Sequence, residues 1–235
     1  MGAAPAPERR QRVERSAEMM GTTVSVHLAV EPALESTAQG IADACMAWLR
    51  AVDAHLSRFR PESELCQLNA AAGHWFDASQ VLFDAVAAAV RAAEASDGLF
   101  DPTLLPQLEA LGYDRDFAQI AHREHPDAPA TAPLDAPAPG GWRAIELDIR
   151  THRIRLPDDM RLDLGGIAKG WAADLAVERY CTSCRGALVN VGGDLRAHGG
   201  PQPGEGWSVG IQGPAGPEAP GEQRQVATIT FSRGG

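Results

Sequence analysis

The sequence predicts a layered domain of the α/β (α+β) class, and three observations predict it. Long helical stretches fill much of the first half of the chain. Short alternating strands separated by glycine turns dominate the second half. A composition of 44% hydrophobic and 22% charged residues over 235 positions supplies enough apolar side chains for a real core. The net charge of −10 sets the whole surface against phosphate backbones and anionic membranes, so nucleic acid is excluded as a general partner. A small anionic ligand then needs a local cradle that holds it against the global field.

The elements follow in order. Residues 1–19 read as a short polar lead, without the apolar h-region of a signal peptide or a lipobox-like cysteine. No apolar stretch long enough to span a bilayer occurs, and the chain as given reads as cytoplasmic. "TTVSVHLA" (22–29) alternates Val24, Val26 and Leu28 with polar partners, which predicts a strand. The segment 33–59 spaces Ile41, Cys45, Trp48, Leu49, Val52 and Leu56 along one helical face. "RPESELCQLNAAAG" (60–73) reads as a turn-rich connection. Residues 79–96 predict an alanine-rich helix with a stripe through Leu82, Val86 and Ala89 and with Ser79 as its cap. In "DGLFDPTLLPQLEALGYD" (97–114) a loop, with Asp101 or Thr103 as cap, leads to a short helix started near Pro102 and stopped by Gly112.

Residues 115–141 carry five prolines among alanines and charges and read as an insertion or linker; His122 and His125 within it read as solvated. "WRAIELDI" and "HRIRLP" predict a hairpin, followed by a strand into "LDLGG" and a helix over "IAKGWAADLAVERY". "GALVNVGGDLRAHG" and "GWSVGIQGP" read as strand, glycine turn, strand, and "QVATITFS" as one more strand. Cys181 and Cys184 form a C-x-x-C, but no second such pair and no suitably spaced histidine pair completes a zinc site. With Cys45 and Cys66 they read as four free thiols of a reducing compartment.

Chemistry concentrates in "LDLGGIAKGW" (162–171). Lys169 is the single lysine of a chain otherwise rich in arginine, and it follows Asp163 and the pair Gly165-Gly166. A glycine turn at a helix start admits close backbone approach to an anion, and a lysine one turn inside adds a point charge. The pattern is neither G-x-G-x-x-G nor Walker A. Taken alone it is equally an ordinary surface turn. Asn190-Val-Gly-Gly-Asp194 is a second glycine turn, and Asp97-Gly-Leu-Phe-Asp101 a loop with two carboxylates and an aromatic.

Six ordered blocks together resemble one family, the ApbE-type FAD:protein FMN transferases. They are "MGTTVSV" (20–26), "LSRFRPESELCQLN" (56–69), "DGLFDPTLLPQLEALGYD" (97–114), "LDLGGIAKGWAAD" (162–174), "ALVNVGGDLRAHG" (187–199) and "WSVGIQGP" (207–214). The resemblance implies a T-fold-related α/β flavin transferase domain over 20–235, with FAD in a cleft. It implies Mg²⁺-dependent cleavage of FAD, passage of FMN to a Thr or Ser hydroxyl of a target flavoprotein, and release of AMP. By motif position it places Met20, Phe59, Leu99, Phe100, Asp101, Asp163 and Lys169 at FAD, and the carbonyl of Gly166 at Mg²⁺. It assigns no catalytic residue and no oligomeric state. The family pattern continues into T-S-G, H-x-x-D-P-x-T-G and A-D-A-x-x-T segments that this sequence lacks, so the resemblance implies a domain incomplete at its C-terminus. Two other readings stay open beside transfer: an FAD pyrophosphatase giving FMN and AMP, and a non-catalytic FAD-binding remnant.

Overall fold

The computed structural model describes residues 9–115, 140–213, 225–231 and 233–234. The expected insertion, apart from Arg115, Gly140 and Gly141, lies outside them, as do His122 and His125. The chain falls into two units: residues 1–17, 23–48 and 173–235 form the first, and 18–22 with 49–172 the second.

The first unit is built on an antiparallel sheet of β1 (Gln11–Met19), β2 (Thr22–Val30), β6 (Gly186–Val191), β7 (Asp194–Gly199) and β10 (Arg233–Gly234), in the order β1-β2-β6-β7-β10. The alternation of Val24, Val26 and Leu28 is realised in β2, where all three are fully buried. β2 pairs with β6 through Val24↔Val191 and Val26↔Val189, and Asn190 Oδ1 accepts the Gly193 N–H (2.8 Å) in the β6–β7 turn. The hairpin β8 (Trp207–Gln212) and β9 (Gln225–Phe231) contributes Trp207 to a cluster with Ala29, Leu188 and Ala197. Among helical elements, residues 35–48 of α1 (Glu35–Leu56) belong to this unit. So does a π-helical turn, Val177–Cys181, which packs on β6 and β7.

The polar lead expected over 1–19 is overturned for its second half, which forms β1. Only Val13 and Met19 of that strand are buried, so its pairing rests on backbone hydrogen bonds with almost no hydrophobic alternation to announce it. The β1–β2 connection is the two-residue turn Met20–Gly21, with φ of 55° and 68°. Positive φ at both positions marks the I′ class that suits the twist of a hairpin.

The second unit holds α2 (Glu64–Ala70), α3 (Gln80–Ala95), α4 (Leu105–Ala110) and a small antiparallel sheet. That sheet consists of β3 (Trp75–Asp77), β5 (Arg153–Arg155) and β4 (Glu146–Asp148), in the order β3-β5-β4. The stripe of α3 is buried as expected, with Leu82, Val86 and Ala89 at 0% exposure. Ser79 caps it, its Oγ accepting the Leu82 N–H (3.2 Å) while its hydroxyl donates to Glu64 of α2 (2.5 Å).

Four further expectations change. The turn-rich connection 60–73 contains α2, started by Ser63 Oγ accepting the Cys66 N–H. The helix expected near Pro102 begins at Leu105 and ends where Gly112 takes φ 89°. The helix over 167–180 is α5 (Ala168–Ala176) followed by the π turn. The expected strand before "LDLGG" is an irregular segment. Its backbone is satisfied by a side chain in place of a partner strand, as the site shows.

Candidate functional site

All eight residues expected at the site belong to the second unit. Its centre is the segment 162–167. The Asn69 side chain, on α2, donates Nδ2 to the Leu162 carbonyl (3.0 Å) and accepts the Leu162 N–H at Oδ1 (2.8 Å). This double bond to one residue imitates a neighbouring strand. The Asp163 N–H donates to the Pro102 carbonyl (2.8 Å), which ties the segment to the 97–102 loop.

Asp163 turns its carboxylate inward. Oδ2 lies 2.5 Å from Arg58 Nε, and Oδ1 accepts the Gly165 N–H (2.8 Å). The side chains of Arg58 and Asp163 are only 7% and 12% exposed. Arg58 Nη2 donates to the Tyr113 carbonyl (2.9 Å), and its guanidinium lies 4.2 Å from the Phe59 ring centroid and 4.4 Å from that of Tyr113. Phe59 and Tyr113 meet edge to face, with centroids 5.8 Å apart. Arg58 therefore staples three segments together: the α1–α2 connection, the end of α4's exit and the glycine turn. Sequence reasoning missed it, because one arginine among twenty carries no signal until its partners are known.

The two glycines are needed for space. A Cβ on Gly165 would stand 3.0 Å from Asp163 Oδ1, and one on Gly166 would stand 3.1 Å from Phe100 Cε2. The Phe100 ring thus rests on the turn, and Phe100, Asp163 and Gly166 come together. Asp101 does not cap α4. Its Oδ1 accepts the N–H (2.9 Å) and hydroxyl (2.6 Å) of buried Thr103, which fixes the bend of the loop. Leu104, without a side-chain cap, starts α4.

Three expected residues are presented outward. Leu99 is 94% exposed at the tip of the loop, and Phe59 is 36% exposed. Lys169 is half-buried in the first turn of α5 and has no hydrogen-bonding or ionic partner among the described residues. Met20 lies in the β1–β2 turn, and no hydrogen bond or ion pair among the described residues joins it to the others. These residues offer apolar side chains for a flat ring and, in the first turn of α5, an ammonium without a partner among the described residues. These features suit an aromatic ligand carrying phosphate.

A hard cation finds less. Among the described residues no three His, Cys, Asp or Glu side chains converge on a metal position. Asp163, the carboxylate nearest Gly166 in sequence, is already committed to Arg58 and Gly165. These residues do not make a Mg²⁺ site by themselves.

Two cavities of about 500 and 440 Å³ lie elsewhere, in the first unit around Arg10 and Arg185. Neither includes an expected residue. Arg10 donates to the carbonyls of Gly200 and Arg185, and Arg185 pairs with Glu31. The C-x-x-C pair is equally committed. Cys181 and Cys184 are buried; a hydrogen bond from the Cys181 thiol to Cys45 together with burial pushes the Cys181 thiol far above its ordinary range, and burial raises Cys184. Protonated thiols are poor nucleophiles and metal ligands. All four cysteines are free.

Comparison with known proteins converges on one family. The model of the ApbE family matches residues 20–234. The FAD:protein FMN transferase of Haemophilus influenzae is 24% identical over 238 aligned residues, covering 95% of this chain and 64% of that protein. That of Rhodobacter capsulatus is 36% identical over 157 residues, covering 64% of this chain and 28% of the relative. The chain thus spans less than two thirds of the length of these relatives. Among solved structures, the flavinyl transferase ApbE of Pseudomonas stutzeri in its apo form superposes with a TM-score of 0.70 at 25% identity, covering 95% of this chain and 67% of that one. The ApbE protein of Thermotoga maritima gives 0.71 at 22% identity, covering 95% and 68%, a likeness of fold. The layered α/β architecture, the ordered blocks and the match over 20–234 agree: this chain belongs to the ApbE family.

Proposed function

We propose that this chain binds FAD at the 97–102 loop and the 162–170 turn and serves the transfer of FMN from FAD to a Thr or Ser hydroxyl of a target flavoprotein. In that reaction the hydroxyl oxygen bonds to the FMN phosphorus, the bridging P–O bond to AMP breaks, and the hydroxyl proton is lost. The observation that carries the reading is Lys169. Its ammonium, without a partner among the described residues, stands at the start of α5 directly after a glycine turn whose shape is fixed by Asn69, Asp163 and Arg58. A diphosphate ester placed there gains a charge-assisted hydrogen bond from Lys169. Phe59, Leu99 and Phe100 supply ring contacts, and Asp163 and Asp101 act by holding the turn and the loop. Met20 joins the set by its motif alone.

Mg²⁺ is the metal the resemblance implies, with the Gly166 carbonyl as one ligand. When bound it neutralises diphosphate charge. The described residues do not complete its shell. That same observation favours a second reading, an FAD-binding chain without turnover. Incubation with FAD, Mg²⁺ and an acceptor peptide bearing a threonine separates the two. Covalent flavin fluorescence on the peptide in a denaturing gel, with AMP released in equal amount, supports transfer. AMP and FMN without labelled peptide support hydrolysis, and intact bound FAD supports the binding protein.

A further inference from the structure

Beside the 97–102 loop lies a donor that the site described so far does not use. Trp142 is 6% exposed, and its indole Nε1–H is buried with no acceptor among the described residues. It sits in the single turn Gly141–Ala144, pressed against the loop. A Cβ on Gly141 would stand 3.0 Å from Thr103 Oγ1, and one on Gly98 would stand 3.7 Å from Trp142 Nε1. One face of the indole is covered by the Arg143 guanidinium, 4.3 Å from the ring centroid. The same Arg143 reaches toward Asp97, with Nη2 3.8 Å from Oδ1. The indole edge that bears the N–H thus points at Gly98, the residue between Asp97 at φ 51° and the 94% exposed Leu99.

Leaving a buried donor unsatisfied costs the free protein its full desolvation penalty. The stacking of Arg143 uses the face of the indole and leaves its N–H without a partner among the described residues. The loop over it is short and held by glycine at φ 81°, and its tip exposes a leucine to solvent.

We infer that the Trp142 indole N–H is a specificity-determining ligand contact, which donates to a ring carbonyl or ring nitrogen of the heteroaromatic group received by the 97–102 loop. The inference rests on the FAD reading above. In the free chain Gly98 covers the N–H; a small shift of residues 97–99 as Leu99 closes on the ring uncovers it. The absence of a Cβ at Gly98 leaves the path to the donor open. Asp101 and Thr103 hold the far end of the loop, and the N–H groups of Gly98 and Leu99 donate to the Ala93 and Ser96 carbonyls (2.8 and 3.1 Å), so the shift that uncovers the donor strains or breaks these two bonds.

The test uses two variants of the full chain: Trp142→Phe, and a variant carrying 3-benzothienylalanine at position 142, which keeps the bicyclic shape and replaces the N–H by sulfur. FAD affinity is measured by titration of flavin fluorescence, and Tm is measured on the ligand-free proteins. The isostere should bind FAD about three- to tenfold more weakly, the scale of one neutral hydrogen bond, and should melt no lower than wild type. Riboflavin and ADP, titrated separately, should show the loss for one of the two only, which identifies the ring. An isostere that binds FAD as tightly as wild type overturns the inference. So does one whose Tm falls together with its affinity, or whose loss is equal for riboflavin and ADP, since either marks a structural role. A wild-type chain that takes up no FAD overturns the functional reading and this inference with it.

Discussion

Arg58 Nε and Asp163 Oδ2 form a buried ion pair at 2.5 Å, and through it the glycine turn is fastened to the segment between α1 and α2. Removing one member leaves the other charge buried and unpaired, which costs more than the pair contributes. Arg58→Ala should therefore lower the unfolding free energy by about 3 kcal/mol. Arg58→Lys should lose less, because the charge stays while the stacking on Phe59 and Tyr113 and the bond to the Tyr113 carbonyl are lost. Urea unfolding of both variants checks the order.

Asn69 replaces a strand for Leu162, so its two hydrogen bonds are the backbone accounting of that segment. Asn69→Ala should cost about 1–3 kcal/mol and loosen hydrogen exchange at 162–166. Asn69→Asp should be no better than alanine, since a carboxylate cannot donate to the Leu162 carbonyl. An Asp variant as stable as wild type would contradict this role.

The sequence showed the elements whose side chains alternate or repeat. β2, α1 and α3 were legible because Val24, Val26, Leu82 and Val86 bury one face each. β1 was not, because an edge strand with only Val13 and Met19 buried is held by its backbone. The strand expected before "LDLGG" failed for the reverse reason: its apolar Leu162 and Leu164 are buried, but Asn69 does the pairing. The motif blocks located the site segments. The contacts that shape them, Arg58 with Asp163, Asn69 with Leu162 and the unpaired Trp142 N–H, join residues far apart in the chain and became visible only in three dimensions.

His27 lies on β2 beside the Trp207 ring, with Glu14 3.5 Å away. Burial lowers its pKa below the ordinary value, outweighing the pull of Glu14. The unfolded chain then binds the His27 proton more readily than the folded one, so stability falls as pH drops through about 6.5 and levels off below the folded value. In His27→Asn this part of the decline should vanish. Urea midpoints of both proteins between neutral and mildly acidic pH supply the comparison, and parallel curves would contradict it.

Since no three ligating side chains converge among the described residues, FAD binding by this chain should be nearly indifferent to Mg²⁺. Affinities measured in Mg²⁺ and in EDTA should agree within about twofold. A large loss in EDTA would show that a metal site forms around Gly166 once the dinucleotide is present.

On the proposed function, the 162–170 turn cradles the FAD diphosphate with Lys169 as its cation. Lys169 has no partner among the described residues, so its removal should cost the free fold little. The direct measurement is a fluorescence titration of wild type and Lys169→Ala with FAD and with riboflavin, which carries no phosphate. The variant should bind FAD more weakly by roughly 1–3 kcal/mol and riboflavin as wild type does. Equal loss for both flavins, or no loss for FAD, would contradict it.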